Sequence, residues 1–433
     1  MAGEGGIWDR ETLIGDWGGA RQALSGRGIE IGLGYTGETV GVVSGGLQRE
    51  WAYAGVLDLS VDADLERLAG WRGGSFHVQA FQIHNAPGPS ADFTGSLADP
   101  SNINALRTTR LYTLWFEQAF GTGHSLRVGQ LAADDEFFNS DTAGGLINGT
   151  FGWANLMSAN LPSAGVAYPL AAPGARLRLD LSPGTTLLAG AFAGDPAGDG
   201  CYDADPDADP QKCNEHGTVF SFSGGTFWIA ELQRHADRGE PGLSGSWKLG
   251  AWYHNGTFAD QRFGLDAAGS AVTLAAAPGA PLNHHGNWGI YGVADQTVWR
   301  GERASLSLFA RGGAVPSDRN LISWYVDAGA GIAGLFAGRE EDVLTLGVAH
   351  SHVSGRGVAL DRDALAIGGP PMIIRDSETV IELSYIAQLT PWWTLQPDLQ
   401  YILRPGGNVP NPDNPDRRIE DALVVGLRTA LTF

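Results

Sequence analysis

No stretch of about 18 consecutive apolar residues occurs in this 433-residue chain, which excludes a membrane-spanning helix. The membrane is not thereby excluded, because a spanning β-strand needs only about 9 to 11 tilted residues with apolar groups at alternate positions. The mean hydropathy of −0.10 suits either a water-soluble chain or such a barrel. Positive charge is scarce: 28 Lys plus Arg stand against 48 Asp plus Glu, a net charge of −20. That balance excludes nucleic acid, whose phosphates need clustered cations. Lysine is nearly missing, with Lys212 and Lys248 the only two, so almost every cation is a planar guanidinium able to make several hydrogen bonds at once. A GC-rich genome would give the same bias. Cysteine is confined to Cys201 and Cys213, close together in a polar segment, and in an oxidising compartment the pair suits a local disulfide. Met1-Ala2-Gly3-Glu4 lacks a basic and then apolar run, so the chain reads as a mature form with a starting Met. Catalytic signatures are missing as well: there is no Gly-x-Ser-x-Gly elbow, no His-Glu-x-x-His and no P-loop.

Glycine is abundant, 63 residues, and 22 prolines accompany it, the composition of many short strands joined by tight turns. The chain exceeds the roughly 250 to 300 residues at which a single soluble core stops growing. No linker or composition shift marks a second domain, and one large barrel is the alternative. Period-two alternation is strongest near the end. Ile381, Leu383, Tyr385, Ala387 and Leu389 point one way and Glu382, Ser384 and Gln388 the other; Leu395, Leu399, Tyr401 and Leu403 face Gln396, Asp398, Gln400 and Arg404. Alternation and turn clusters predict strands near 29–43, 53–66, 74–85, 108–120, 124–131, 175–182, 185–194 and 226–235. A second set follows near 245–256, 287–299, 303–312, 324–337, 341–352, 378–390, 392–404 and 422–433. These make an all-β, transmembrane antiparallel barrel of about 16 strands. Short connections such as 121–123 and 182–184 interleave with long ones such as 132–174 and 195–225, the arrangement of bacterial outer-membrane barrels, and an even count puts both termini on the periplasmic rim. Asp16 to Ser25 reads as a short helix capped by Asp16 and ended by Gly26 and Gly28. Residues 1–28 are then a periplasmic helix or plug segment and 29–433 the barrel. Trp8, Trp17, Trp51, Trp71, Trp299, Trp324, Trp392 and Trp393 gather at strand ends, as an interfacial aromatic girdle requires.

Several blocks are familiar in this order. Gly15-Asp16-Trp17-Gly18-Gly19 with Arg21 and Leu24, Arg127-Val128-Gly129-Gln130-Leu131, Glu136-Phe137-Phe138, Phe151-Gly152-Trp153 and Ala159-Asn160-Leu161-Pro162-Ser163 resemble the carbohydrate-selective OprB porins. So do Lys248 to His254, Pro316 to Asn320, and the tail from Glu382 through Leu389-Thr390-Pro391-Trp392-Trp393 to Phe433. The resemblance covers almost the whole chain and is weakest at 201–213. It implies a sixteen-stranded barrel in the outer membrane of a Gram-negative cell, with an internal constriction and passive diffusion of glucose and related small sugars.

The 132–174 connection is far longer than a hairpin needs, and a loop of that length can fold inward and narrow a lumen. It carries Asp134, Asp135, Glu136, Asn148, Trp153, Asn155 and Asn160. Next to it Arg176, Arg178 and Asp180 share one strand face, which must be the wet one, because an Arg on the lipid face near the midplane costs roughly 2 to 4 kcal/mol. The same parity turns Arg127 inward and sets Glu117 opposite Tyr112, Leu114 and Phe116, which are assigned to lipid; Trp115 fits that assignment poorly. Opposed Arg and carboxylate groups donate to and accept from sugar hydroxyls, and Trp153 is the candidate aromatic face. The constriction candidates are therefore Glu117, Arg127, Asp134, Glu136, Asn148, Trp153, Asn160, Arg176 and Arg178, each weighed against a plain solvated wall. The aspartates at 199, 203, 205, 207 and 209 could ligate Ca²⁺ but lack the Gly turn and closing Glu of an EF-hand, so a solvated acidic loop is the expectation. His284-His285 and His350-Ser351-His352 read as ordinary loop or strand-end histidines rather than metal ligands. No catalytic residue and no cofactor is expected. Small sugars, outer-membrane lipid and lipopolysaccharide are the expected partners, with a homo-oligomer left open. The competing functions are a barrel that docks an enzyme or other partner, and a barrel hydrolase.

Overall fold

The computed structural model describes residues 6–88, 90–202, 205, 208–237, 243–276, 279–369 and 373–433. Met1 to Glu4 lie outside the described residues. The strands are β1 (Ile29–Gly46), β2 (Trp51–Asp64), β3 (Gly74–Ala86), β4 (Thr108–Phe120), β5 (His124–Leu131), β6 (Ala172–Ser182), β7 (Thr185–Ala193), β8 (Thr226–Asp237), β9 (Ser244–Leu265) and β10 (Ala271–Thr273). They continue as β11 (Pro281–Arg300), β12 (Ser305–Ala314), β13 (Ile322–Ala333), β14 (Val343–Val353), β15 (Ser377–Thr390), β16 (Trp393–Leu403), β17 (Pro410–Asn411), β18 (Asn414–Arg418) and β19 (Glu420–Thr432). All but β10, β17 and β18 form one antiparallel wall of sixteen strands. β1 pairs with β2 on one side and β19 on the other, so the sheet closes on itself. Closure pairs every edge, which a polar backbone in hydrocarbon requires.

Each of the sixteen expected spans is a wall strand. The exposed face is apolar: Leu249, Ile290, Leu399 and Leu427 all lie open on it. On a water-soluble protein such a surface would be an interaction site or a liability; around a closed barrel it is the lipid face. Trp228, Tyr253 and Trp288 sit side by side across β8, β9 and β11, and Trp71, Trp299 and Trp393 lie toward the short-turn rim. At about 3.3 Å per residue and a tilt near 40°, the strand from Trp288 to Trp299 rises about 28 Å, close to the roughly 25 Å apolar band of such barrels. Trp392 departs from the expected girdle. It is turned into the rim, 7% exposed, and its Nε1 donates to Ile7 O at 2.7 Å. Trp8 stacks on it rather than on the wall, and Trp17 lies under the Arg21 guanidinium.

Three local differences have physical causes. The N-terminal helix is broken: Trp17–Gly19 is a 3-10 turn and Ala20–Ser25 the α-helix, because Gly18 and Gly19 take left-handed φ of 68° and 96°. Asp16 nonetheless reaches the helix, its Oδ1 accepting from Gln22 N at 2.9 Å. The segment braces the rim through Leu13 N to Thr432 O (2.8 Å) and Arg21 Nη2 to Phe433 O (2.6 Å). Second, β9 and β11 run on to Leu265 and Pro281, past the ends expected at 256 and 287. Beyond the lipid the outward positions Asn255, Thr257 and Ala259 no longer need to be large and apolar, so the alternation of residue type that marks a strand fades while the ladder continues and Phe258 and Asp260 stay buried on the other face. Third, a helix at Gly355–Ala366, capped by Ser354 Oγ on Gly357 N (3.1 Å), was not foreseen. Asp363 ties it to the projecting hairpin, accepting from Arg262 Nε and Nη2 (2.8 and 2.9 Å) and from Thr273 Oγ1 (2.8 Å).

Candidate functional site

Cross-strand register sets up the polar centre of the lumen. Glu117 of β4 stands opposite Arg127 of β5, and Arg127 opposite Arg176 of β6, so three charged side chains line up across three strands and point inward. Glu136, from the start of the 132–171 loop, completes the row. Arg176 donates to both Glu136 oxygens from Nε and Nη2 (2.6 and 2.8 Å), and from Nη1 to Ser125 Oγ (2.9 Å) and Glu117 Oε1 (3.3 Å). Arg127 holds Glu117 Oε2 from Nε and Nη2 (2.8 and 2.7 Å) and lies 3.8 Å over the Trp115 ring. His77 stacks on that ring at 4.8 Å and reaches Asp62 Oδ1 with Nδ1 (2.6 Å). The two guanidiniums stand side by side between two carboxylates, each arginine within 3.6 Å of both, and the four charges sum to zero. A bidentate Arg–carboxylate pair fixes orientation as well as distance; Arg176, 3% exposed, is a brace for Glu136. Arg178 faces the same lumen but stays apart, nearer the short-turn rim, open to water and paired with Asp180 at 3.1 Å.

Trp115 points inward for a reason the alternation concealed. The ladder between β3 and β4 shifts between Gln79 and Ala80, leaving Tyr112 as the extra residue of a bulge. Thr113, Trp115 and Glu117 face in below the bulge and Tyr112 and Arg110 face in above it. Tyr112, assigned to lipid from parity, is therefore buried in the lumen, its ring packed on Phe81 and Tyr168 and its hydroxyl 3.3 Å from Asp134 Oδ1.

The 132–171 loop does fold inward, and it is fastened across the inner face of the opposite wall. Glu231 accepts from Phe138 N (2.9 Å), Asp295 from Thr142 N and Oγ1 (2.9 and 2.7 Å), and Glu382 from Ile147 N and Asn148 N (2.5 and 3.0 Å). Arg311, paired with Asp327, donates to Phe138 O, Phe151 O and Gly152 O (2.9, 2.8 and 3.3 Å). Between loop and wall lies an apolar layer that includes Phe138, Leu146, Phe151, Leu156, Met157, Phe309 and Tyr325. The loop is a packed partition, and the passage left beside it is bounded by the charged row.

Two expected lumen contacts belong to this fastening instead. Asn148 is fully buried, its Nδ2 donating to Gln400 Oε1 and its Oδ1 capping Thr150 N (2.9 and 3.1 Å). Asn160 is 8% exposed and bonds Leu156 O, Ile322 O and Ile322 N. Asp134 joins the two ends of the loop by accepting from Tyr168 N (2.9 Å). Asp135 lies deep in the barrel but opens to the passage. Removal from bulk water, then the adjacent charges of Asp134 and Glu136, hold its carboxyl above the usual carboxylate range. Trp153 is half-buried, its Nε1 donating to Ala164 O at 2.9 Å. Of the wall residues that hold the loop, the sequence marks Glu382 as inward-facing but gives it no contact, and Glu231, Asp295 and Arg311 are missed. The signal available was an ionisable group at an inward position of an apolar strand, which gives direction but not depth.

Cys201 and Cys213 are joined, with Cα atoms 5.5 Å apart. Their loop is less detached than the sequence suggests: His216 O accepts from Leu111 N (2.9 Å), where β4 outruns β5, and the Tyr202 hydroxyl meets Ser163 Oγ (2.7 Å). Asp209 caps the helix Pro210–Cys213; Asp203 and Asp207 lie outside the described residues. His284 meets Asp260 Oδ2 (2.8 Å), His350 meets Thr379 Oγ1 (2.8 Å), and His352 stacks on Trp324. Among the described residues no group of three His, Cys, Asp or Glu side chains is placed to hold a metal. Reducing the disulfide is expected to leave the barrel folded while loosening the rim, since the bridge closes only a short loop. Faster proteolysis within 195–225 with unchanged heat-modifiable mobility on electrophoresis would be the readout; loss of the folded band would contradict it.

Residues 48–433 match the family described as carbohydrate-selective porin, OprB family. Porin B of Pseudomonas aeruginosa is 26% identical over 97% of this chain and 91% of its own length. A putative porin of Acinetobacter baylyi, QuiX, is 23% identical over 98% of this chain and 94% of its own. In fold, the chain superposes on the high-pH structure of Pseudomonas putida OprB with a TM-score of 0.84 at 23% identity, covering 99% of this chain and 100% of that one.

Proposed function

This chain belongs to the carbohydrate-selective OprB porin family of the outer membrane, whose architecture is that of a channel rather than an enzyme, and from that premise we propose that it passes glucose-sized neutral sugars by diffusion, without cofactor or energy coupling. The observation that carries this reading is the charge-balanced row Glu117, Arg127, Arg176 and Glu136 beside the fastened loop. A neutral polyol sheds water on entering a narrow passage, and donors and acceptors interleaved at hydrogen-bond spacing replace that water without favouring either ion sign. Conduction needs a site that attracts yet releases, so affinity should be on the order of millimolar or weaker. The long loops face the cell exterior and both termini the periplasm in this reading, because the even strand count returns the chain to the short-turn rim.

Liposome swelling with glucose against a size-matched zwitterionic amino acid tests the proposal. Glucose should enter faster, and equal rates would defeat sugar selectivity. Arg178→Ala is expected to change the ratio only slightly, since Arg178 stands apart from the row and its ion pair is open to water. Trp153→Ala should lower the ratio by removing an apolar platform while altering ion conductance less.

A further inference from the structure

The lipid face is not finished evenly around the barrel. At the long-loop end of β8, β9 and β11 the wall carries Trp228, Tyr253 and Trp288, whereas at the same end β5, β6 and β7 present Gln130, Pro173 and Ala193 outward. Below these stand Val128, Ala175 and Ala191, again small or branched. The missing aromatics come from outside the wall. Residues 218–225 return to β8 over the outer surface of the barrel and hold Phe220 and Phe222 above it, 49% and 79% exposed. Between overhang and wall is a cleft of about 650 Å³, lined by Leu114, Val128, Ala175, Ala191, Phe220 and Phe222 among others.

The overhang is held at both ends. Gln130 Nε2 donates to Gly217 O (2.9 Å), and at the far end Gly194 N donates to Gly225 O (2.9 Å) and Thr226 N to Asn255 Oδ1 (2.6 Å). Ser223 N closes a turn on Ser221 Oγ (3.1 Å). The cleft floor is continuous with the lipid-contacting band, so its walls meet hydrocarbon in the membrane. A flat wall would meet sliding chains; a wall with a fixed aromatic overhang encloses one on two sides and buries more of its surface. We propose that this cleft binds the acyl chain of a membrane lipid, holding it against β4–β8 beneath Phe220 and Phe222.

The test reconstitutes the full chain in nanodiscs with a phosphatidylcholine that carries a diazirine on one acyl chain, and maps the photo-adducts by peptide mass spectrometry. Adducts should concentrate several-fold on 173–175 and 218–228 relative to the plain lipid face at Leu399 and Tyr401. The double variant Phe220→Ser, Phe222→Ser, folded by electrophoretic mobility, should fall to the level of that plain face. Even labelling in the unaltered protein would overturn the proposal. So would Phe222→p-benzoylphenylalanine cross-linking chiefly to a second copy of the chain, which would make the cleft a subunit contact. Cross-linking chiefly to lipid supports it.

Discussion

Arg311→Met is expected to make the channel wider and noisier while the barrel still folds. The Arg311 side chain is wholly buried, donates to the loop carbonyls of Phe138, Thr150, Phe151 and Gly152, and pairs with Asp327 through Nη2 at 2.5 Å. Removing it leaves the Asp327 carboxylate enclosed with the Tyr325 hydroxyl (2.7 Å) as its remaining close donor, a loss on the order of 3–5 kcal/mol for a broken buried pair. That strain falls on the loop, because the sixteen-strand ladder stays intact and closed. Single-channel conductance in planar bilayers should rise, open-channel noise should grow, and sugar discrimination should weaken. Arg311→Met combined with Asp327→Leu should recover stability, since an apolar pair replaces an ionic one, yet keep the noise, since the loop carbonyls remain without donors. A quiet conductance at the unaltered value in both variants would show that apolar packing alone fixes the loop.

Arg176→Met comes next in size. The row then holds one guanidinium against two carboxylates, Glu136 loses its bidentate clamp, and Glu117 keeps Arg127 as its one guanidinium partner. Reversal potentials in a salt gradient should move toward cation preference, and glucose swelling should slow several-fold relative to the zwitterion. The contrast with Arg178→Ala is the informative part. Neighbouring inward arginines on one strand differ because one is enclosed between Ser125, Glu117 and Glu136 and the other is solvated. A reversal potential unaffected by Arg176→Met would place the selectivity elsewhere in the passage.

The wall was legible in the sequence because lipid on one side and water on the other impose strict alternation, and that constraint acts on every strand separately. Glu382 between Ile381 and Leu383 declares its direction without any knowledge of the fold. What it contacts, two N–H groups of a loop more than two hundred residues earlier in the chain, depends on how that loop packs, and packing leaves no period. Asn148 and Asn160 illustrate the same limit: an amide in an inward loop suits a sugar hydroxyl and a helix cap equally well. Tyr112 failed differently, since one extra residue in β4 reverses the parity above it, and nothing around Leu111-Tyr112-Thr113 marks a bulge. The hairpin beyond Tyr253 and Trp288 goes unmarked because the membrane ends there and its outward face no longer has to be apolar.

The scarcity of lysine leaves the molecule with two side-chain amines at separate addresses. Lys212 is exposed on the disulfide loop, on the long-loop side, whereas Lys248 lies inside the lumen with Nζ on Asn139 O at 3.0 Å, beneath the partition. A membrane-impermeant amine reagent added to intact cells should therefore find Lys212 whatever its size, and Lys248 only if it can pass the charged row. A series of such reagents of graded bulk, scored by the ratio of the two adducts, would act as a molecular ruler for the passage in the living membrane.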